Sequence, residues 1–185
     1  YDIASCLVGS EMCIRDSYIT WEDYHKKIEQ LAKKVHEDNL KFNQIICIAK
    51  GGLRVGDVFS RLFNVPLAIL SVESYHGDSD DIKNQQGQFT FSRDLAKTTP
   101  NLGSHVLLVD DLADSGKTLI KSIKWLEHFY GFYFDEKIKT AVLWHKSTSK
   151  FKPDYSVDYL KDSPWIHIPF EKYETTNVKD FKFEK

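Results

Sequence analysis

The stretch from Val106 to Thr118 constrains this chain more than any other part of its sequence. An apolar run ends abruptly in Asp110 and Asp111, and Asp114 follows shortly after. A short apolar run with such a boundary is typical of a strand buried in a parallel sheet. Open sheets of this kind bind their ligands beyond the carboxyl ends of the strands. We therefore expect these carboxylates to face a ligand.

The turn that follows these acids, Ser115–Thr118, predicts a phosphate site. It opens a helical pattern, and the free backbone N–H groups at a helix N-terminus bind phosphate well. The alternative is a P-loop, whose pattern requires a glycine where this chain has Asp111. The P-loop is therefore excluded. Acids that can hold ribose hydroxyls or a metal, next to a phosphate-binding turn, indicate a sugar phosphate.

Composition favours one globular domain in a reducing compartment. Of the 185 residues, 42% are hydrophobic, which is enough for a single core. The net charge is −2, which argues against nucleic-acid binding, and no apolar run approaches the ~18 residues of a membrane span. The three cysteines (Cys6, Cys13 and Cys47) lack metal or disulfide spacing, so we expect a cytoplasmic protein.

The order of the predicted elements indicates an α/β protein, with a mostly parallel twisted sheet flanked by helices. The elements are helix 20–39, strand 45–49, helix 53–63, strand 65–72, a hairpin return strand at 88–92, the central strand with its helix to about 130, and strands 137–144 and 155–160. Residues 73–100 are predicted to form a long polar loop, and loops of that length in compact domains are usually functional or disordered.

The two ends of the chain differ in character from the middle. Residues 1–17 have weak periodicity and resemble translated adapter sequence at false gene starts, so we expect a non-native or disordered leader. A short N-terminal strand remains the alternative. Residues 18–171 should form the domain, and the polar residues 172–185 are expected to be a loose tail.

Three further features are ambiguous when each is taken alone. Lys50-Gly51-Gly52 follows a strand, and glycines there allow close backbone approach to a ligand, although a plain strand–turn–helix would look the same. Lys146 follows a strand end, where a lysine is more often a solvated charge. Trp165 follows a proline and could simply cover the core.

Together, these segments resemble the type I phosphoribosyltransferases. Residues 106–118 match the motif that binds 5-phosphoribosyl 1-pyrophosphate (PRPP): a hydrophobic run, two acids, two residues, then D-[ST]-G-x-T. Residues 49–53 are similar to the pyrophosphate loop of purine phosphoribosyltransferases. Trp165-Ile166 resembles the C-terminal hood of the xanthine–guanine enzymes. The resemblance implies the type I fold over residues 18–171, with a small hood formed by the C-terminal segment and the flexible loop at 73–100.

The resemblance also implies roles for the residues on the PRPP side. Lys50 and the amides of Gly51 and Gly52 would hold the leaving pyrophosphate. Asp110 and Asp111 would hold the ribose hydroxyls, directly or through Mg²⁺. The 5′-phosphate would bind the turn made of Ser115, Gly116, Lys117 and Thr118.

Four residues would act on the purine side. Asp114 would be the general base near purine N7, and capping of the next helix is its alternative role. Lys146 would donate to the 6-oxo group, Trp165 would stack on the base, and the backbone of Ile166 would read its edge. His145 is expected to be structural.

The implied reaction transfers the phosphoribosyl group from PRPP to a 6-oxopurine in purine salvage. The base could be xanthine, guanine or hypoxanthine, and a homodimer or homotetramer is expected. The alternative is a regulator of the same fold that binds PRPP or a nucleotide without catalysis. A third possibility, transfer to orotate, uracil or adenine, is disfavoured by Lys146 and Trp165.

Overall fold

The computed structural model describes residues 16–74, 89–131 and 138–181. Its elements, in chain order, are β1 (Ser17–Tyr18), α1 (Trp21–Glu37), β2 (Gln44–Ala49), α2 (Leu53–Phe63), β3 (Leu67–Ser74), β4 (Phe89–Phe91), β5 (Ala96–Lys97), β6 (Val106–Ala113), α3 (Lys117–Tyr130), β7 (Ile138–Lys146), β8 (Tyr155–Leu160), β9 (Ile166–His167), α4 (Lys172–Thr175) and a 3₁₀ turn (Val178–Asp180). The predicted α/β class is confirmed.

The main sheet is parallel in its centre. Strands β3, β2, β6, β7 and β8 lie side by side in that order and are all parallel. Strands β4 and β5 pair antiparallel with β3, so the predicted hairpin return strand is confirmed at 89–91. The chain passes from β2 to β3 on one side and then crosses to β6 on the other side of β2. This reversal opens a crevice at the carboxyl ends of β2 and β6, where α/β proteins bind ligands.

Helix α1 forms as its sequence pattern predicts. The side chain of Thr20 accepts a hydrogen bond from the Asp23 amide at 3.1 Å and donates to the Asp23 carboxylate at 2.7 Å, so one reciprocal cap fixes the helix start. Its apolar residues recur at helical spacing and are buried: Tyr24, Ile28, Leu31, Ala32 and Val35. The helix is therefore held against the sheet by one face.

The core has two layers, one on each side of the sheet. Ile45 and Cys47 of β2 pack with α1 and α2, whereas Ile46 and Ile48 pack with α3, because successive side chains of a strand point to opposite faces. Gly56 explains how α2 lies so close, since a Cβ there would lie 2.6 Å from the Cβ of Cys47.

Several boundaries differ from the sequence expectations. Strand β3 starts at Leu67 because Asn64 ends α2 in a left-handed conformation. Strand β7 extends through Lys146, which therefore lies inside the sheet. Helix α3 starts at Lys117 because Gly116 has a φ of 72° and caps it.

One residue of the predicted leader pairs with the C-terminal segment. Ser17, which the sequence analysis placed in the leader, pairs with β9 through a 2.8 Å hydrogen bond from its amide to the Trp165 carbonyl. Next to it, the ring of Tyr18 stacks on His167 at 4.2 Å. Backbone pairing with the C-terminal segment therefore holds Ser17 in the domain, and residues 1–15 lie outside the described part of the chain.

The tail and the hood loop are only partly described. Residues 172–181 form α4 and the 3₁₀ turn, and no side chain in either element is buried. Residues 75–88 of the predicted hood loop lie outside the described residues. Within the described ranges, no helix is long and apolar enough to cross a membrane.

Candidate active site

The two adjacent acids lie inside β6, at its carboxyl end. Asp110 is 7% exposed and Asp111 is only partly exposed. The amide of Asp111 donates to the Asp110 carboxylate at 3.0 Å. No ion pair among the described residues involves either acid. Strand β6 therefore presents two adjacent carboxylates at the crevice, and the described residues give them no cationic partner.

The surroundings of both acids raise the pKa of their carboxyl groups. Burial, and next the repulsion from Asp111, raises the pKa of Asp110 well above its ordinary value. Burial also raises the pKa of Asp111 to about 6, against opposing hydrogen bonds, and Glu171 adds a repulsive contribution. Carboxylates that are costly to ionise without a counter-charge are suited to bind a cation.

A hard divalent cation such as Mg²⁺ fits this pair. Mg²⁺ is usually held by one or two carboxylates and completes its shell with water and substrate phosphates. The described residues contain no group of three or more His, Cys, Asp or Glu side chains placed for a metal. Asp110 and Asp111 are thus residues that could hold Mg²⁺, provided that a substrate supplies further oxygens.

The glycines of the loop after β2 bring it against these acids. A Cβ at Gly51 would lie 2.5 Å from the Asp111 carboxyl group, and a Cβ at Gly52 would lie 2.5 Å from the Val109 carbonyl oxygen. Side chains at either position would therefore separate the loop from β6. The Gly52 amide already donates to the Ile48 carbonyl at 2.9 Å, so close packing is the role that the geometry supports for Gly52.

The loop and the acids border a cavity of about 810 Å³. This volume is in the range of small-molecule sites. The lining combines cations, carboxylates and aromatic rings: Lys50, Gly51, Arg54, Val72, Glu73, Asp111, Phe170, Glu171, Tyr173 and Glu174. The cavity thus joins the predicted pyrophosphate loop to one of the two acids.

The predicted phosphate turn is held open at the start of α3. Gly116 caps the helix with no side-chain hydrogen bond of its own, and the Lys117 amide donates to the Ser115 hydroxyl at 3.4 Å. Among the described residues, the next two amides, those of Thr118 and Leu119, have no acceptor outside the helix, so they can bind a ligand. The loop after β7 holds the turn in place, since the Lys150 amide donates to the Ser115 carbonyl at 3.1 Å. A Cβ at Gly116 would lie 2.5 Å from the Ser149 hydroxyl, so glycine is needed for both the φ angle and the packing.

Three of the four predicted purine-side residues converge at the carboxyl ends of β6 and β7. The ammonium group of Lys146 lies 3.4 Å from a carboxylate oxygen of Asp114 and 5.7 Å from the ring centre of Trp165. Lys146 is 5% exposed, whereas Trp165 is 60% exposed. Thr148 also donates to Asp114, to its carbonyl at 3.3 Å and its carboxylate at 3.4 Å. A buried cation, an acid and an exposed aromatic face thus form one cluster.

Ile166 and His145 have mainly structural surroundings. The Ile166 side chain is buried, and the carbonyls of the residues on either side of it accept hydrogen bonds from the chain around β1. Since successive peptide groups of a strand point to opposite sides, those of Ile166 point away from β1. His145 packs edge-on against Tyr159 at 5.2 Å, and burial, followed by the charge of Lys152, lowers its pKa.

Four residues at the site carry no sequence pattern that identified them: Arg54, Phe170, Glu171 and Thr148. Arg54 lies in the first turn of the helix that follows the glycine loop, and that position is the one signal that could have suggested it. The others come from segments far along the chain, and only the packing of the hood segment (residues 162–171) and of the loop after β7 brings them to the site.

Known proteins are similar to this chain over most of its length. A family model described as the phosphoribosyl transferase domain matches residues 17–175. A xanthine-guanine phosphoribosyltransferase from Idiomarina loihiensis is 26% identical over 160 residues, which cover 86% of this chain and 89% of the relative.

Two solved structures are similar over most of the chain. A purine phosphoribosyltransferase from Pyrococcus horikoshii has a TM-score of 0.67 and 28% identity, covering 84% of this chain and 93% of its own. A Neisseria gonorrhoeae protein with bound ppGpp has a TM-score of 0.64 and 25% identity, covering 87% of this chain and 92% of its own.

Proposed function

This chain belongs to the phosphoribosyl transferase domain family and is a phosphoribosyltransferase, and we propose that it transfers the 5-phosphoribosyl group of PRPP to a 6-oxopurine base in purine salvage. The products are the nucleoside 5′-monophosphate and pyrophosphate. The accepted base is xanthine, guanine or hypoxanthine.

The observation that carries this proposal is the cluster of Asp114, Lys146 and Trp165. A buried ammonium group beside an exposed indole can donate to the 6-oxo group of a base stacked on that indole. Adenine carries an amino group at that position. This group is itself a hydrogen-bond donor and offers the Lys146 ammonium group no acceptor. The purine names of the relatives support the same substrate class.

The chain's own residues divide the work of the reaction. The bond between ribose C1 and the pyrophosphate oxygen breaks, and a bond from C1 to a ring nitrogen of the base forms. Asp114 accepts the proton that the base loses, while Lys146 holds the base through its 6-oxo group. The turn at Ser115–Thr118 anchors the 5′-phosphate at a distance from C1 and so orients the ring.

The leaving pyrophosphate needs charge compensation. Asp110 and Asp111 would hold Mg²⁺, which, when bound, neutralises part of that charge. The same two carboxylates can accept hydrogen bonds from the ribose hydroxyls. Lys50 and Gly51 line the cavity, where they would bind the pyrophosphate.

The test is product formation with PRPP and Mg²⁺, with guanine, xanthine, hypoxanthine and adenine supplied separately. We expect a nucleotide from at least one 6-oxopurine and none from adenine. Product from adenine alone, or from orotate or uracil, would contradict the proposed role of Lys146 and Trp165.

A regulatory protein is the second candidate. The structural similarity to the Neisseria gonorrhoeae protein with bound ppGpp favours it, since that protein holds a guanine nucleotide in the same fold. Tight binding of PRPP or a nucleotide, with no product from any base, would select this function over the enzyme.

We further propose that the protein works in the cytoplasm as a homodimer or homotetramer. The compartment is supported by Cys47, which is buried as a free thiol. Light scattering should give a mass of two or four times 21.5 kDa, and a monomer at micromolar concentration would contradict the assembly.

A further inference from the structure

Arg54 lines the cavity described above, and two aromatic rings lie close to its guanidinium group. Its guanidinium carbon is 4.4 Å from the ring centre of Phe170 and 5.2 Å from that of Trp21. The rings come from the hood segment and from the start of α1, whereas Arg54 belongs to the first turn of α2. Three elements therefore fix the position of one cation beside the loop of Lys50 and Gly51.

This guanidinium keeps its hydrogen-bonding capacity for a ligand. Among the ion pairs of the described residues, none involves Arg54, although Glu73, Glu171 and Glu174 line the same cavity. A cation–π contact does not consume the N–H groups of the guanidinium, which can match two phosphate oxygens at once. Arg54 is thus a pre-positioned phosphate donor without a protein acceptor in the described chain.

The charge of the cavity indicates the form of that ligand. Two cations, Lys50 and Arg54, face four carboxylates that include Asp111. Such a lining would repel a free polyanion. In a diphosphate bound to a divalent cation, the metal would face the carboxylates and the phosphate oxygens would face Lys50 and Arg54. Both types of group are present in one cavity.

We propose that Arg54 is the second cation of the pyrophosphate subsite, beside Lys50, and binds the magnesium complex of the leaving group. The inference rests on the proposed function, since it assigns part of that site. Phe170 and Trp21 hold the guanidinium in place, so little side-chain entropy is lost when the diphosphate binds. Arg54 therefore contributes to the affinity for PRPP and for pyrophosphate, but not for the base.

The test compares Arg54→Met and Arg54→Lys with a matched control, Arg61→Met. Arg61 lies on the same helix, is exposed and pairs only with Asp57 at 3.0 Å among the described residues. Calorimetry at fixed Mg²⁺ measures the Kd of pyrophosphate and, separately, of the nucleoside monophosphate, which does not occupy the subsite.

We expect Arg54→Met to weaken pyrophosphate binding roughly 10- to 100-fold, the usual value of a charge-assisted contact. Arg54→Lys should weaken pyrophosphate binding less, by about 10-fold at most. Lysine keeps the positive charge but lacks the paired N–H groups that bind two phosphate oxygens at once. Binding of the nucleoside monophosphate should stay within about twofold in both variants, and Arg61→Met should match the wild type.

Two results would overturn the proposal. Unchanged pyrophosphate affinity in both Arg54 variants would mean that the guanidinium does not contact the ligand. An equal loss of pyrophosphate and nucleotide affinity, together with a lower Tm, would mean that Arg54 only holds the hood segment. If Arg54→Met does not fold, Arg54→Lys decides by the same comparison. Absence of turnover in the wild type would defeat the proposed reaction, yet these binding measurements would still decide the role of Arg54.

Discussion

Replacing Asp111 by asparagine should stabilise the metal-free protein above pH 6, although it removes a residue of the active site. Burial raises the pKa of Asp111 from 3.8 to about 6. A difference of about 2 pKa units at ~1.36 kcal/mol each corresponds to roughly 3 kcal/mol. This is an upper limit because Asp111 is partly exposed and the amide has its own desolvation cost. We expect a gain of about 1–3 kcal/mol, or roughly 3–10 °C in Tm for a domain of this size.

The gain should depend on pH in a defined direction. The folded carboxyl group keeps its proton up to about pH 6, whereas the unfolded one loses it near 3.8. The folded state therefore binds more protons between these values, and the wild type loses stability as the pH rises through this window. Below about pH 4 the carboxyl group is protonated in both states, so the advantage of the variant should vanish.

Thermal unfolding followed by circular dichroism, in chelator and between pH 4 and 8, measures this difference. Asp94→Asn is the control, since Asp94 is an exposed aspartate elsewhere on the chain and its variant should follow the wild type at every pH. Mg²⁺ with pyrophosphate should raise the Tm of the wild type more than that of Asp111→Asn. A variant that is no more stable than the wild type at pH 8, or whose difference does not change with pH, would refute the reasoning.

Three further substitutions test the site. Asp114→Asn should lower kcat about 10²–10⁴-fold and leave the Kd of PRPP within a few fold, because a general base acts only in the chemical step; near-normal kcat would remove Asp114 from the mechanism. Lys146→Met removes one charged donor to the base and should raise the KM of the purine base roughly 10- to 100-fold in steady-state assays. An unchanged KM would argue against that contact. Gly51→Ala should lower kcat/KM for PRPP at least about 10-fold, since its Cβ would lie 2.5 Å from the Asp111 carboxyl group; equal kcat/KM would show that the loop can move aside.

Local patterns determined most of the fold from sequence alone. Helix α2 and strand β8 occupy the predicted residues, and Thr20 caps α1 as expected. The phosphate turn was recognisable because its chemistry is local: a buried strand, acids at its end, and Gly116 where a left-handed φ is required. Such features depend on periodicity and turn geometry within a few residues, so they can be predicted from the sequence.

Tertiary structure alone decided which distant residues meet. The sequence suggested roles for Asp114 and Lys146 separately, but only the alignment of β6 with β7 brings their charges to 3.4 Å. The high pKa values of Asp110 and Asp111 arise from burial. The cation–π contacts of Arg54 come from two elements far apart in the chain. Ser17 is held in the domain by pairing with β9, a contact that no local pattern predicts. Desolvation and long-range packing depend on the whole fold rather than on neighbours in sequence. They determine the pKa values and the charge contacts of this site.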